Sequence, residues 1–218
     1  MGGRLLEKFE FRDLLNEIGT IVTGHRGMVL GLLVAIIAGY TALDLVSERV
    51  NTISGVIVSV FVQYAFLERV LPLPSGATRR YGSLFGSGLL SGLGIMLGLL
   101  LLIVPGLYLS ARWALTSPFV VAGQRRATEA ISASWDATAE CWRPLLLAYV
   151  LLGVTATVPL GALVFYSQFS GGEDLSQVAE LLLINTWTSV FTIGAWLIGA
   201  AGYRLMADRL ESIEDVFG

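Results

Sequence analysis

Nucleophilic, acid–base and metal chemistry all need ionisable side chains that converge, and this sequence supplies few of them. His25 is the only histidine, Cys141 the only cysteine, and no lysine follows Lys8. A serine or cysteine nucleophile needs a base beside it and a third group to orient that base. One imidazole at a helix edge provides neither. A lone thiol makes no disulfide within the chain and no multi-cysteine metal site. An intramembrane aspartyl site would need paired carboxylates, and Asp44 is the one obvious acid near an apolar segment. The glycines lie inside apolar runs, not in phosphate-cradling loops. No catalytic residue, cofactor site or metal site is expected, and the chain is read as not an enzyme.

One charge remains to be explained. In LLLLIVPGLYLSARWALTSP, residues 99–118, a leucine run meets the helix breaker Pro105-Gly106, continues through Tyr108, and then sets Arg112 beside Trp113. A charge inside a membrane span is costly and is often functional. Arg112 in a polar cavity would meet an anionic substrate or a lipid phosphate, the chemistry of a transporter or lipid-handling protein. The structural alternative has Arg112 reaching outward, pairing with Asp44 or Glu48, or binding carbonyls freed near Pro105. Tyr108 and Trp113 suit the outer interface.

Such a charge is unusual because the rest of the chain is apolar. Of 218 residues, 55% are hydrophobic and only 14% charged, and the mean hydropathy is +0.73. A soluble domain carries about a quarter charged residues, so lipid is the solvent this composition fits. A net charge of −3 gives no reason to expect a nucleic-acid partner. Residues 1–26 are charged throughout, so no cleavable signal peptide is expected and the first span would act as its own insertion signal.

The architecture expected is an all-α integral membrane protein with six transmembrane helices, an N-terminal amphipathic helix and an interfacial helix between spans 4 and 5. The amphipathic segment is 1–26, with Leu5, Leu6, Phe9, Leu14, Leu15, Ile18 and Val22 at helical spacing. The six-helix domain is 27–206, with spans at about 28–46, 52–67, 84–104, 107–121, 145–165 and 181–205. A cytoplasmic tail fills 207–218. Pro105-Gly106 is the tight turn between spans 3 and 4.

Charge supports that count. The chain has 14 Lys and Arg. With the N-terminus inside, every one falls in an inner segment except Arg49 and the intraspan Arg112, as the positive-inside rule requires. The expected location is a bacterial inner membrane, with both termini cytoplasmic.

Two further patterns bear on partners. Gly82, Gly86, Gly94 and Gly98 share one stripe of span 3, and Gly88 with Gly92 forms a second small pair. Such stripes let helices approach closely, within the chain or in self-association. Residues 126–142 place Ala127, Ala130, Ile131, Ser134, Trp135 and Thr138 on one helical face and acidic or polar residues on the other. With Trp142 and the flanking Arg125, Arg126 and Arg143, this helix suits the inner interface. There the arginines are candidate contacts for anionic headgroups. Membrane lipids, and other membrane proteins, are the partners anticipated.

The 102–149 region resembles the membrane domain named for glycerophosphoryl diester phosphodiesterases, shared with YciC-type bacterial inner-membrane proteins. Pro105, Gly106, Leu107, Tyr108, Leu109, Arg112, Trp113, Pro118, Ala130, Ser134, Trp135 and Trp142 match its pattern. Gly123-Gln124 stand where an acidic residue is common, and Ala133 where a basic one often precedes Ser-Trp. The resemblance implies the six-span fold and, since members are mostly of undefined function, little biochemistry. The catalytic domain behind the family's name opens on His-Arg-Gly, and His25-Arg26-Gly27 repeat those letters. Metal-assisted cleavage needs several convergent ligands, whereas here a span follows at once. The function expected is a non-catalytic scaffold or regulatory membrane module.

Overall fold

A backbone crossing lipid must pair every N–H and C=O within its own segment, which favours helices. The computed structural model describes residues 9–46, 48–169 and 177–217, and it builds nine helices and no strand from them. They are α1 (Phe11–Gly24), α2 (Arg26–Val46), α3 (Glu48–Val70), α4 (Tyr81–Leu101), α5 (Ile103–Arg112), α6 (Thr116–Val121), α7 (Ala127–Ala137), α8 (Trp142–Phe169) and α9 (Gln177–Phe217). Among the described residues, α2, α4 and Val178–Ala207 of α9 are long and apolar enough to cross a membrane. α7 and Trp142–Thr155 of α8 pass the same test together, bent by 106°.

The distribution of side chains is that of a protein in an apolar solvent. Leu30, Val34, Phe61, Leu90, Leu97, Leu147 and Phe191 point outward, and Val46 is 80% exposed. Arg112, Thr116, Ser134, Thr138, Asn185 and Ser189 are buried. Water would drive the first group inward.

α9 forms the spine, packing on α1, α2, α6 and α8. Its contacts order the bundle by depth. Asn185 donates to Thr41 at 3.2 Å and to Asp44 at 2.9 Å. Further along, Gly194 faces Leu152, Gly199 faces the Ala114 carbonyl, and Gly202 faces Leu115 and Leu145. Arg204 then pairs with Glu17 of α1 at 2.9 Å. The α5–α6 junction therefore lies at the α1 end of the bundle. Interhelical polar bonds in membranes are worth about 1 kcal/mol. Asn185→Ala is accordingly expected to lower stability in a detergent unfolding titration by about that amount. An unchanged midpoint would show that the contact with α2 carries no energy.

Several expectations are corrected. The break expected at Pro105-Gly106 falls instead at Leu102, whose φ of −161° and ψ of 142° end α4 and begin α5. Pro105 is instead the third residue of α5, in the first turn, where N–H groups have no intrahelical partner and proline is tolerated. The segment 107–121 is not one helix: α5 ends at Arg112 and a turn at 113–115 precedes α6. α1 begins at Phe11 and buries Leu14 and Ile21, while the apolar positions Leu5 and Leu6 lie outside the described residues. The tail expected at 207–218 is helical as far as Phe217, a continuation of α9 beyond its apolar stretch Val178–Ala207. Residues 170–176, within the expected outer loop before the last span, also lie outside the described residues.

Candidate functional site

The short helix α5 is held at both ends by different devices. At its start, the Leu102 N–H donates to the Gly98 carbonyl at 3.0 Å. A Cβ on Gly98 would stand 2.9 Å from Gly106 Cα, so α4 and α5 meet backbone to backbone. Gly94, one turn back on α4, leaves room for the Trp113 ring. Gly86 faces Ala127 of α7, whereas Gly82, Gly88 and Gly92 have no atom near their missing side chains. The Gly86, Gly94 and Gly98 part of the stripe thus serves packing within the chain.

At its end, α5 leaves the Arg112 carbonyl and the Leu115 N–H outside the helical ladder, and α7 satisfies both. Ser134 Oγ donates to the Arg112 carbonyl at 2.9 Å and accepts from Leu115 N–H at 3.2 Å. Thr138 Oγ1 lies 3.0 Å from the same carbonyl and 2.7 Å from the Ser134 carbonyl, sharing one proton between them. Ser134 and Thr138 are wholly buried. A buried carbonyl or N–H left without a partner costs about 1–3 kcal/mol, so this bridge is what permits the break in the helix.

The Arg112 side chain turns to rings. Its guanidinium carbon is 4.2 Å from the centroid of Trp135 and 5.9 Å from that of Tyr108. Tyr108 meets Trp135 at 6.0 Å and Trp142 at 5.3 Å, edge to face, and Trp113 lies 6.5 Å from Trp135. The residue is only 5% exposed, and among the described residues no carboxylate pairs with it. Its Nε is buried without a hydrogen-bond partner. Desolvating a guanidinium costs several kcal/mol, against about 2 kcal/mol from stacking on an aromatic face away from water. Placement on the last, carbonyl-rich turn of α5 adds about 0.3–1 kcal/mol. The charge is left under-compensated.

Tyr108, Arg112, Trp113, Ser134 and Trp135 therefore converge as one cluster, while Pro105 and Gly106 serve the opposite end of α5. Of the alternatives for Arg112, no ion pair with Asp44 occurs among the described residues, and Asp44 accepts from Asn185; the side chain of Glu48 lies outside the described residues. Tyr108 and Trp113 do not lie across the bundle from the 126–142 helix, as an outer position would require. They pack directly against α7, at the α1 end. Of the candidate headgroup contacts, Arg125 and Arg143 are exposed and stack on Phe119 at 5.4 Å and Trp142 at 5.5 Å. Arg126 is exposed and opens α7, its N–H donating to Glu129 at 3.0 Å.

Three polar contacts escaped the sequence reading. Thr138 shares the face of Ser134 and Trp135, and its bond to the Arg112 carbonyl is set by packing that the spacing does not show. Gln63 donates to Ser117 at 3.0 Å, tying α3 to α6. Gln124, held at φ 49°, accepts from the Thr78 N–H at 3.0 Å and donates to the Val121 carbonyl at 2.7 Å. A carboxylate at that position could only accept. Next to Thr78, Arg79 meets Glu68 of α3, which raises its pKa above the ordinary guanidinium value by hydrogen bond and charge.

A cavity of about 180 Å³ lies elsewhere, among Leu32, Ile36, Tyr40, Val58, Val62 and Trp196 of α2, α3 and α9. It is apolar, and Arg112 is not among its lining residues. No group of three or more potential metal ligands occurs among the described residues. The chain matches no family model, no curated protein and no solved structure.

Proposed function

We propose that this is a non-catalytic polytopic module of a bacterial inner membrane, a scaffold or regulatory component that packs among lipids and other membrane proteins. In this reading six segments cross the bilayer, with α5 and α6 forming one broken crossing, and both termini are cytoplasmic. The likeness of residues 102–149 to the membrane domain named for glycerophosphoryl diester phosphodiesterases points the same way. The observation that carries the reading is the use made of the motif. Its Ser134 bridges a helix break, its aromatic residues cover Arg112, and its glycine packs α5 on α4.

Topology and role are tested separately. In a Cys141→Ala background, a membrane-impermeant thiol reagent on intact cells is expected to label Ser170→Cys and to spare Arg126→Cys. The reverse pattern would sink the orientation. For role, gentle detergent extraction should recover the chain with stoichiometric protein or lipid partners. If Arg112→Ala kept the fold and abolished uptake or efflux of an anion, the scaffold reading would be wrong. A lipid-handling role is the second reading, favoured by one observation: the Arg112 guanidinium has no counter-charge among the described residues.

A further inference from the structure

We propose that the Arg112 guanidinium, roofed by Trp135, binds a phosphate group, supplied by the headgroup of a membrane phospholipid. The inference rests on the membrane reading above and gives its second form a ligand class and a site.

The first reason is the unused valence of Arg112. A guanidinium carries five N–H donors in a planar fork, and here Nε is buried with no hydrogen-bond partner among the described residues. Rings satisfy its faces, through Trp135 and Tyr108, but a ring face accepts nothing from the in-plane N–H groups. What the fork lacks is a planar pair of anionic oxygens, and the two free oxygens of a phosphodiester supply that spacing.

Position gives the second reason. The α5–α6 junction lies at the α1 end of the bundle, where Gly199 and Gly202 receive Ala114 and Leu115 two to five residues before the Arg204–Glu17 pair. Tyr108, Trp113, Trp135 and Trp142 gather around it, and amphipathic rings concentrate at headgroup level. Arg143, exposed beside Trp142, is a cation placed to draw an anionic headgroup toward the cluster.

Access gives the third. Arg112 is 95% buried by difference from its 5% exposure, yet the ring stacked on it, Trp135, is 37% exposed. The buried cation therefore lies one side chain beneath the surface, under a ring that is itself partly exposed.

The test uses the full chain in detergent, loaded with a phosphatidylglycerol or with a diacylglycerol of the same acyl chains, and read by native mass spectrometry. The expected result is one retained phosphatidylglycerol and no retained diacylglycerol. Arg112→Gln should lower that occupancy at least tenfold. Arg112→Lys, which keeps the charge and loses the fork, should lower it less; it also serves if the Gln variant does not fold. Equal occupancy in wild type and Arg112→Lys with no dependence on the phosphate would overturn the site. Full displacement of the lipid by millimolar inorganic phosphate would keep the phosphate site and overturn the lipid as its source. If the chain itself is recovered outside the membrane fraction, the membrane reading fails first, which is a separate outcome.

Discussion

Gly106→Ala is expected to destabilise the folded chain by about 2–3 kcal/mol, the upper part of the range for overpacking a close contact. The added Cβ would stand 2.4 Å from Leu99 Cγ and 2.6 Å from the Leu99 backbone nitrogen. A side-chain tip can rotate away, but a backbone nitrogen within a helix cannot. α5 must therefore lift from α4, and the Gly98–Gly106 contact opens with it. The effect travels along α5, because Trp113 packs over Gly94 and Arg112 under Trp135. Gly88→Ala on the same α4 is the control. Nothing lies within 4 Å of its missing side chain, and alanine is the better helix former by about 0.8–1 kcal/mol. Detergent unfolding should place the two variants on opposite sides of the parent. If Gly106→Ala unfolds no earlier than Gly88→Ala, the hairpin is not held by backbone contact.

Parts of this arrangement were legible in the sequence because they depend on period or composition. The apolar runs read as helices able to cross a membrane, and α2, α4 and α9 are such helices. The helix around Ser134 and Trp135 read from its two faces, and α7 occupies Ala127–Ala137. The break between α4 and α5 was not legible. Proline marks a place where a helix may not continue, but it is equally suited to the first turn of a new one. The actual break is at Leu102, a residue whose type carries no turn signal, and tertiary contact between Gly98 and Gly106 fixes it. The surroundings of Arg112 were not legible either. The six-span count puts Asp44 near it, yet Asp44 accepts from Asn185 and a ring-lined site receives the arginine. Which neutral group replaces a counter-charge depends on helix packing that one sequence does not display.

The second large effect concerns the bridge under that arginine. Ser134→Ala should cost about 1–3 kcal/mol, because Leu115 N–H loses its acceptor in a buried site while the Arg112 carbonyl keeps Thr138 as donor. Thr138→Val should cost less, about 1 kcal/mol, since Ser134 still serves that carbonyl. The double variant should exceed the sum of the two, because only then is the Arg112 carbonyl left with no donor from α7. Residues sharing one partner commonly couple by 0.5–3 kcal/mol in such cycles, roughly the range expected here. The sign is what matters. Coupling that makes the pair worse than additive means both hydroxyls back one carbonyl, as the geometry has it. Strict additivity would mean that the carbonyl finds another donor when the helix break relaxes, and that α7 packs against α5 by its rings alone. In that case Trp135→Ala, rather than the hydroxyl pair, would be the substitution that separates the two helices. The serine and tryptophan adjacent in the sequence would then have exchanged the roles assigned to them, with the ring holding the helices together and the hydroxyl dispensable.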